Sequence, residues 1–123
     1  MREESPVLIR VKITLEGRRK SMKVMALVDT GASFSVIPQE AARRLELSPM
    51  KSYTVELANG RVERLPATTV GVRLDGRSAP VTALISPRGE MLLGAETLEV
   101  LDITVDPKRR RLRMGRHFAL KAA

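Results

Sequence analysis

The first residues of the chain alternate between apolar and polar side chains in the way that a half-buried β-strand requires. From residue 7 to 15 the odd-numbered residues are apolar, and polar residues lie at 10, 12 and 14. Successive side chains of a strand point to opposite faces of the sheet, so one face is predicted to be buried. After a turn at 16–19, a second strand is predicted at 22–28. Its last four residues are all apolar, which predicts burial on both faces.

Two short helices are predicted, one in the middle of the chain and one near its end. Pro38 follows an extended segment at 34–37, and proline suits the first turn of a helix, so a helix is predicted at 39–45. The second helix, 95–101, follows an apolar strand at 91–94. In each helix the apolar residues are spaced to form one inner side. These residues are Ala41, Ala42 and Leu45 in the first helix, and Leu98 and Leu101 in the second.

Three hairpins account for the remaining strands. The dipeptides at 59–60 (Asn-Gly) and 75–76 (Asp-Gly) favour tight turns, because both turn residues tolerate positive φ. A third turn is predicted at 106–109. The strands that these turns join are predicted at 54–57 with 61–65, 69–74 with 79–85, and 103–105 with 110–114. Many short strands with two short helices predict a mostly-β fold in a single domain.

The composition narrows the classes of site that the chain can build. It has 43% apolar and 29% charged residues, the balance of a globular protein. It has no cysteine, which excludes a disulfide framework and a thiolate metal site. With His117 as its single histidine, a histidine-rich metal site or a Ser-His-Asp triad is hard to assemble. The sequence has no long apolar stretch and no signal-peptide pattern, so no membrane segment and a cytoplasmic location are expected.

The net charge of +8 is concentrated near the end of the chain. Seven of the 22 basic residues, and no acidic one, lie in residues 107–121, which leaves 15 basic against all 14 acidic residues elsewhere. Such a segment could bind phosphates without sequence preference, or it could be a solvated strand with a basic tail. Aromatic residues that would stack on single strands are not interleaved with it. Binding of nucleic acid is therefore unlikely to be the main function, although the segment leaves it open.

The first candidate for chemistry is Asp29, which directly follows the apolar end of the second strand. A carboxylate buried there costs several kcal/mol unless it is paired, hydrogen-bonded or protonated. Gly31 allows main-chain N–H groups to approach the carboxylate, and the Thr30 hydroxyl can hold the loop. The tripeptide by itself favours an Asx-type turn that simply ends a strand, because three residues recur by chance.

The order of elements around this tripeptide distinguishes the two interpretations. Two apolar residues precede the segment Asp-Thr-Gly-Ala-Ser at 29–33. An extended segment, a short helix and a hairpin follow it. The sequence Leu-Leu-Gly at 92–94 then precedes the second helix. This order resembles that of the retropepsin-like aspartic proteases over residues 7–114. The resemblance implies a closed, barrel-like acid-protease fold with one lobe per chain, active as a homodimer. Residues 1–6 would form an extension and residues 115–123 a basic tail.

The resemblance also implies roles for individual residues. Asp29 would be the catalytic aspartate, and Thr30 would reach across the two-fold axis to the other subunit. The catalytic loop would be supported by Thr30, Gly31, Leu93 and Gly94. Substrate would be bound by Gly31, Ala32 and Ser33 in the loop, and by Ala58, Asn59, Gly60 and Arg61 at the tip of a flap hairpin. No metal and no organic cofactor is implied.

The implied mechanism needs two carboxylates within about 3 Å, which share one proton because like charges so close cannot both ionise. Asp75, Asp102 and Asp106 are poor candidates for the second carboxylate, since they lie in or beside turns. The second carboxylate is therefore expected from another copy of the chain. The resulting prediction is an aspartic endopeptidase that cleaves protein or peptide substrates. The alternative is a catalytically silent module of the same fold that dimerises or binds peptides.

Overall fold

A computed structural model of the chain describes residues 8–57, 59–116 and 118. Its strands are β1 (Ile9–Glu16), β2 (Ser21–Val28), β3 (Ser35–Pro38), β4 (Ser52–Glu56), β5 (Val62–Leu74), β6 (Arg77–Ser86), β7 (Met91–Leu93), β8 (Ile103–Asp106) and β9 (Arg111–Met114). Its helices are α1 (Gln39–Arg44) and α2 (Ala95–Val100). The predicted mostly-β architecture with two short helices is confirmed within this part of the chain.

Six strands close into a barrel. They follow one another in the order β1-β2-β7-β3-β6-β5, and β1 then pairs with β5. β4 is joined only to β5, and it forms with the first part of β5 an arm that extends from the barrel. Closure removes the free edges of the six strands, which would otherwise be open to pairing with other chains. The predicted closed β-barrel is confirmed.

The interior of the barrel is filled by the alternate apolar residues of its strands. Ile9, Ile13 and Leu15 of β1 are all buried, as the period of two predicts. In β2, however, Met25 is 52% exposed while Ala26 and Val28 are buried. The prediction that this strand is buried on both faces is therefore wrong, because no layer formed by the described residues covers Met25 on the outer face of β2. The inner residues predicted for α1 and α2 are buried.

The arm hairpin differs from its prediction in two ways. β5 runs without interruption through Pro66, although separate strands were predicted at 61–65 and 69–74. Its first half pairs with β4 and its second half with β6, so one long strand belongs to both the arm and the barrel. The turn at the tip has positive φ at Gly60 and not at Asn59. The tip is closed between Leu57 and Arg61, because the Leu57 N–H donates to the Arg61 carbonyl over 2.7 Å.

The hairpin β5–β6 turns at Asp75 and Gly76, both with positive φ, as predicted. The C-terminal hairpin β8–β9 also forms, with its basic residues exposed and Leu112 and Met114 packed against the core. Phe118 packs against the same core, whereas His117 lies outside the described residues. No helix in the described part of the chain has the length and apolar character of a membrane-spanning segment.

Candidate active site

The loop that carries Asp29 begins where β2 leaves the barrel. β7 lies beside β2 in parallel, with Val28 opposite Leu93, and the ladder continues one step further because the Asp29 N–H donates to the Leu93 carbonyl over 2.9 Å. β7 also pairs with β3, the strand that follows the loop. Both ends of the Asp29 loop are thus joined to the same central strand. The last residue of that strand, Leu93, fixes the backbone of Asp29 directly.

The carboxylate of Asp29 is held by the backbone of its own loop. The Gly31 N–H donates to Asp29 Oδ1 over 3.0 Å, and the Ala32 N–H donates to the Asp29 carbonyl over 3.2 Å. The side chain is half-buried, and Thr30 and Gly31 are exposed. The expectation of a buried carboxylate is therefore wrong for the single chain as far as the structure describes it, because no described residue covers this loop.

Gly94 and the start of α2 form the underside of the loop. The Ala95 N–H donates to the Ala32 carbonyl over 2.7 Å, and the Glu96 N–H donates to the Ser33 carbonyl over 3.0 Å. A Cβ atom at Gly94 would lie 2.5 Å from the carbonyl oxygen of Phe34 and 2.8 Å from that of Ala32. Position 94 therefore excludes any side chain, since two backbone oxygens occupy that space. Leu93 and Gly94, which the sequence singled out, lie in contact with the Asp29 loop.

Sequence reasoning missed a buried polar pair at the same place. Ser35 and Thr97 are 0% and 1% exposed, and their hydroxyl oxygens lie 2.6 Å apart. The Gly94 N–H donates to Ser35 Oγ over 3.0 Å. The pair thus joins β3, Gly94 and α2 beneath the loop. A signal was present, because Ser35 interrupts an apolar strand and Thr97 lies on the same helical side as Leu98 and Leu101.

A groove of about 820 Å³ opens beside Asp29 and Thr30. Its walls are the start of β1 with the residue before it, the end of β2, three residues of α2, and the strand β8 with the residue after it. Most of these residues are apolar, and Leu8, which precedes β1, is 58% exposed. The lining residues besides Asp29 and Thr30 are Leu8, Ile9, Leu27, Val28, Ala95, Leu98, Glu99, Ile103, Thr104, Val105 and Pro107.

A row of side chains crosses the outer face of the barrel next to Asp29. Leu27 of β2 lies opposite Leu92 of β7, which lies opposite Val36 of β3. Cross-strand partners share a face, and all three are half-exposed while their chain neighbours are buried in the barrel. Val36 lies in turn opposite Leu84 of β6, which packs with Phe34 and with Val55 of the arm. The row therefore forms an apolar floor that ends beneath the arm.

The tip of the arm contains the other predicted substrate residues. Asn59 Oδ1 accepts a hydrogen bond from the Arg61 N–H over 2.9 Å, and Gly60 adopts φ of 85°. All three residues are exposed. Ala58 lies outside the described residues. The arm is attached to the body near the Asp29 loop, since the rings of Tyr53 and Phe34 lie 5.7 Å apart.

The other aspartates of the sequence lie away from this loop in the secondary structure. Asp75 is exposed in the β5–β6 turn, and Asp102 follows α2. The pKa of Asp106 is held below its ordinary value, chiefly because the Arg109 guanidinium donates a hydrogen bond to its carboxylate, with further donation from backbone N–H groups of the turn. Among the described residues, no group of three or more His, Cys, Asp or Glu side chains could hold a metal ion.

Comparison with known proteins gives matches at the level of both sequence family and fold. The family model described as aspartyl protease matches residues 11–97. The protease of EIAV, solved in complex with the inhibitor HBY-793, is similar with a TM-score of 0.60 and 20% identity, over 75% of this chain and 86% of that one. The protease-reverse transcriptase of prototype foamy virus is similar with a TM-score of 0.59 and 16% identity. That match covers 90% of this chain and 12% of the viral one. No curated protein gives a significant match.

Proposed function

We propose, on the premise that this chain belongs to the aspartyl protease family, that it is an aspartic endopeptidase whose active site forms between two copies of the chain. The observation that carries the proposal is the arrangement of Asp29. Its backbone is fixed by Leu93, and its carboxylate is oriented by the Gly31 N–H while remaining accessible. A carboxylate that is positioned but not neutralised by a cation is suited to act on a bound water.

The surroundings of Asp29 support a dimer. The groove beside it is largely apolar, and Leu8 at its edge is 58% exposed. Covering such apolar surface would favour association. A two-fold axis near Thr30 would bring the two loops together and cover both grooves, since an isologous interface uses the same surface on each copy. The dimer would then supply the cover that the Asp29 carboxylate does not have in the single chain.

The chemistry follows from two carboxylates at such an axis. The ionised Asp29 accepts a proton from a water molecule as its oxygen attacks the carbonyl carbon of the substrate. The protonated Asp29 of the partner subunit transfers its proton to the carbonyl oxygen, so the tetrahedral intermediate carries two hydroxyls and the partner's Asp29 is left ionised. When the C–N bond breaks, the first Asp29 gives the proton that it took from water to the leaving nitrogen. One hydroxyl gives its proton to the partner's Asp29 as the new carbonyl forms. No metal or organic cofactor takes part in these steps.

The substrate would be an extended peptide between the apolar floor and the arm. Leu27, Leu92 and Val36 offer a half-exposed surface for its side chains, and the tip at 59–61 would close over it. Ala32 and Ser33 in the loop, and Ala58 at the tip, are proposed to contact it as well. Thr30, Gly31, Leu93 and Gly94 are proposed to support the catalytic loop.

The test compares Asp29→Asn with Asp75→Asn. Asp75 is an exposed aspartate in a turn with φ of 55°, which asparagine also tolerates, so this variant is a matched control for the change of charge. Purified wild type and Asp75→Asn are expected to cleave an unfolded protein in a pepstatin-sensitive manner, while Asp29→Asn cleaves nothing and remains folded and dimeric. Cleavage that persists in Asp29→Asn would refute the proposal.

The same experiment distinguishes the alternative of a silent module. A wild-type chain that binds peptides and dimerises but cleaves none of them, like Asp29→Asn, would favour that alternative. The domain bounds at 7–114, the cytoplasmic location and any binding of nucleic acid by residues 107–121 stay predictions. The last of these would be recognised by a steep dependence of binding on salt.

A further inference from the structure

The apolar floor of the cleft ends in charged residues on the side away from the arm. Arg10 of β1 lies opposite Leu27, so it extends the row Leu27–Leu92–Val36 by one strand. Its guanidinium donates to both carboxylate oxygens of Glu90, from Nε over 3.3 Å and from Nη2 over 3.4 Å. Both side chains are about half exposed, at 50% and 46%. The row therefore has an apolar end beneath the arm and a charged end at β1.

A second cation lies at the same end of the row. Glu90 precedes Met91, which pairs with Ala26, so Glu90 lies beside Met25. Lys12 lies opposite Met25 in β1. Lys12 is exposed, and it makes no ion pair with any residue that the structure describes. Since Glu90 neutralises Arg10, the charge of Lys12 is left uncompensated, and this end of the cleft is positive.

We propose that Arg10, Lys12 and Glu90 select substrates by charge, and that they favour a peptide with an acidic side chain at one position flanking the scissile bond. The inference rests on the proposed protease function, because it uses the same cleft. The carboxylate of such a substrate would be bound by Lys12 and by the side of the Arg10 guanidinium that Glu90 leaves open. Glu90 limits the preference for an acidic substrate side chain, since its carboxylate competes with that of the substrate for Arg10.

The experiment measures cleavage of peptide mixtures by the full chain. The peptides share one bond that the wild-type chain cleaves in an Asp29-dependent manner, and they carry Glu, Gln or Lys at each of the three positions on either side of it. Internal competition gives the ratio of kcat/KM for Glu and Lys at each position. An exposed charge interaction changes such a ratio by about two- to fivefold. The wild-type chain is expected to prefer Glu over Lys by about this factor at one position.

Three variants show whether each of these residues raises or lowers the preference for Glu over Lys in the substrate. Arg10→Gln and Lys12→Gln are expected to lower the Glu-to-Lys ratio at that position, and Glu90→Gln is expected to raise it. Lys12 makes no ion pair with a described residue, so its replacement tests the proposal without disturbing the Arg10–Glu90 contact. Lys20→Gln and Glu46→Gln are matched controls, because these residues form an exposed ion pair at the opposite end of the β1–β2 hairpin. They are expected to leave the ratio unchanged.

The outcomes separate this inference from the function on which it rests. Asp29-dependent cleavage with no preference for Glu, or with a preference that the three variants do not alter, overturns the inference alone. A preference that is uniform over all positions and falls equally in Lys20→Gln arises from the overall charge of the chain, and it overturns the inference too. Cleavage that does not depend on Asp29 overturns both proposals.

Discussion

The buried pair Ser35 and Thr97 gives the sharpest test of how the Asp29 loop is supported. Ser35→Ala removes the hydroxyl that accepts from the Gly94 N–H and that contacts the Thr97 hydroxyl over 2.6 Å. Both side chains are inaccessible to water, so the two groups left behind cannot be rehydrated without movement of the backbone. Each stranded group costs about 1–3 kcal/mol. With two such groups, Ser35→Ala is expected to lower the free energy of unfolding by about 2–6 kcal/mol.

The expected loss can be measured by urea denaturation followed by circular dichroism. In thermal unfolding it corresponds to a fall in Tm of roughly 8–24 °C for a domain of this size. Thr97→Val removes one hydroxyl, but Ser35 still accepts from the Gly94 N–H. This variant is therefore expected to lower the free energy of unfolding by about 1 kcal/mol. In the double variant the Thr97 hydroxyl no longer needs a partner, and the combined cost should be smaller than the sum by about 1 kcal/mol. Ser78→Ala, at an exposed strand position, is the control and should stay within about 0.5 kcal/mol.

Two results would refute this reasoning. One is a Ser35→Ala variant as stable as Ser78→Ala, which would mean that the stranded groups find other partners at no cost. The other is strict additivity in the double variant, which would mean that the two hydroxyls do not interact. A loss of proteolytic activity in Ser35→Ala below its unfolding temperature would further show that the pair positions the Asp29 loop.

Three further predictions concern the site and the C-terminal hairpin. Gly94→Ala places a Cβ atom 2.5 Å from a backbone oxygen, so it should destabilise the fold by about 1–3 kcal/mol. It should also lower cleavage more than Gly76→Ala, which strains only the φ of 84° in a turn that is distant from Asp29 along the strands. Arg77 donates to the carbonyls of Leu101, Asp102 and Gly115, and Arg77→Lys, which cannot reach all three, should lower hydrogen-exchange protection in β9. Because the folded pKa of Asp106 is lowered, its contribution to stability is present above the ordinary pKa of 3.8 and is lost as pH falls through the folded value. The urea midpoint of Asp106→Asn should thus lie below that of wild type at pH 7, and the two should converge in acid; a gap that persists there would contradict the assignment.

The local pattern of the sequence was sufficient to predict the elements that depend on residues close to them in the chain. The alternation in β1, the inner sides of α1 and α2, and the Asp75-Gly76 turn all follow from the period of the structure and from turn chemistry. The pattern was wrong where a distant partner decides the outcome. Pro66 ends no strand, because β5 continues from its pairing with β4 into its pairing with β6. The apolar end of β2 is partly exposed on one face, because no layer within residues 8–57, 59–116 and 118 packs on it.

By itself the sequence determined where the candidate carboxylate lies and which residues surround it in the chain. The apolar strand is followed along the chain by Asp29-Thr30-Gly31 and later by Leu93-Gly94. This order can be read from the sequence without a structure. Only the tertiary structure placed Leu93 against Asp29, brought Ser35 to Thr97 across 62 residues, and set Arg10 beside Glu90 across 80. These contacts depend on the register with which distant strands pair, and register is decided by the closure of the whole barrel.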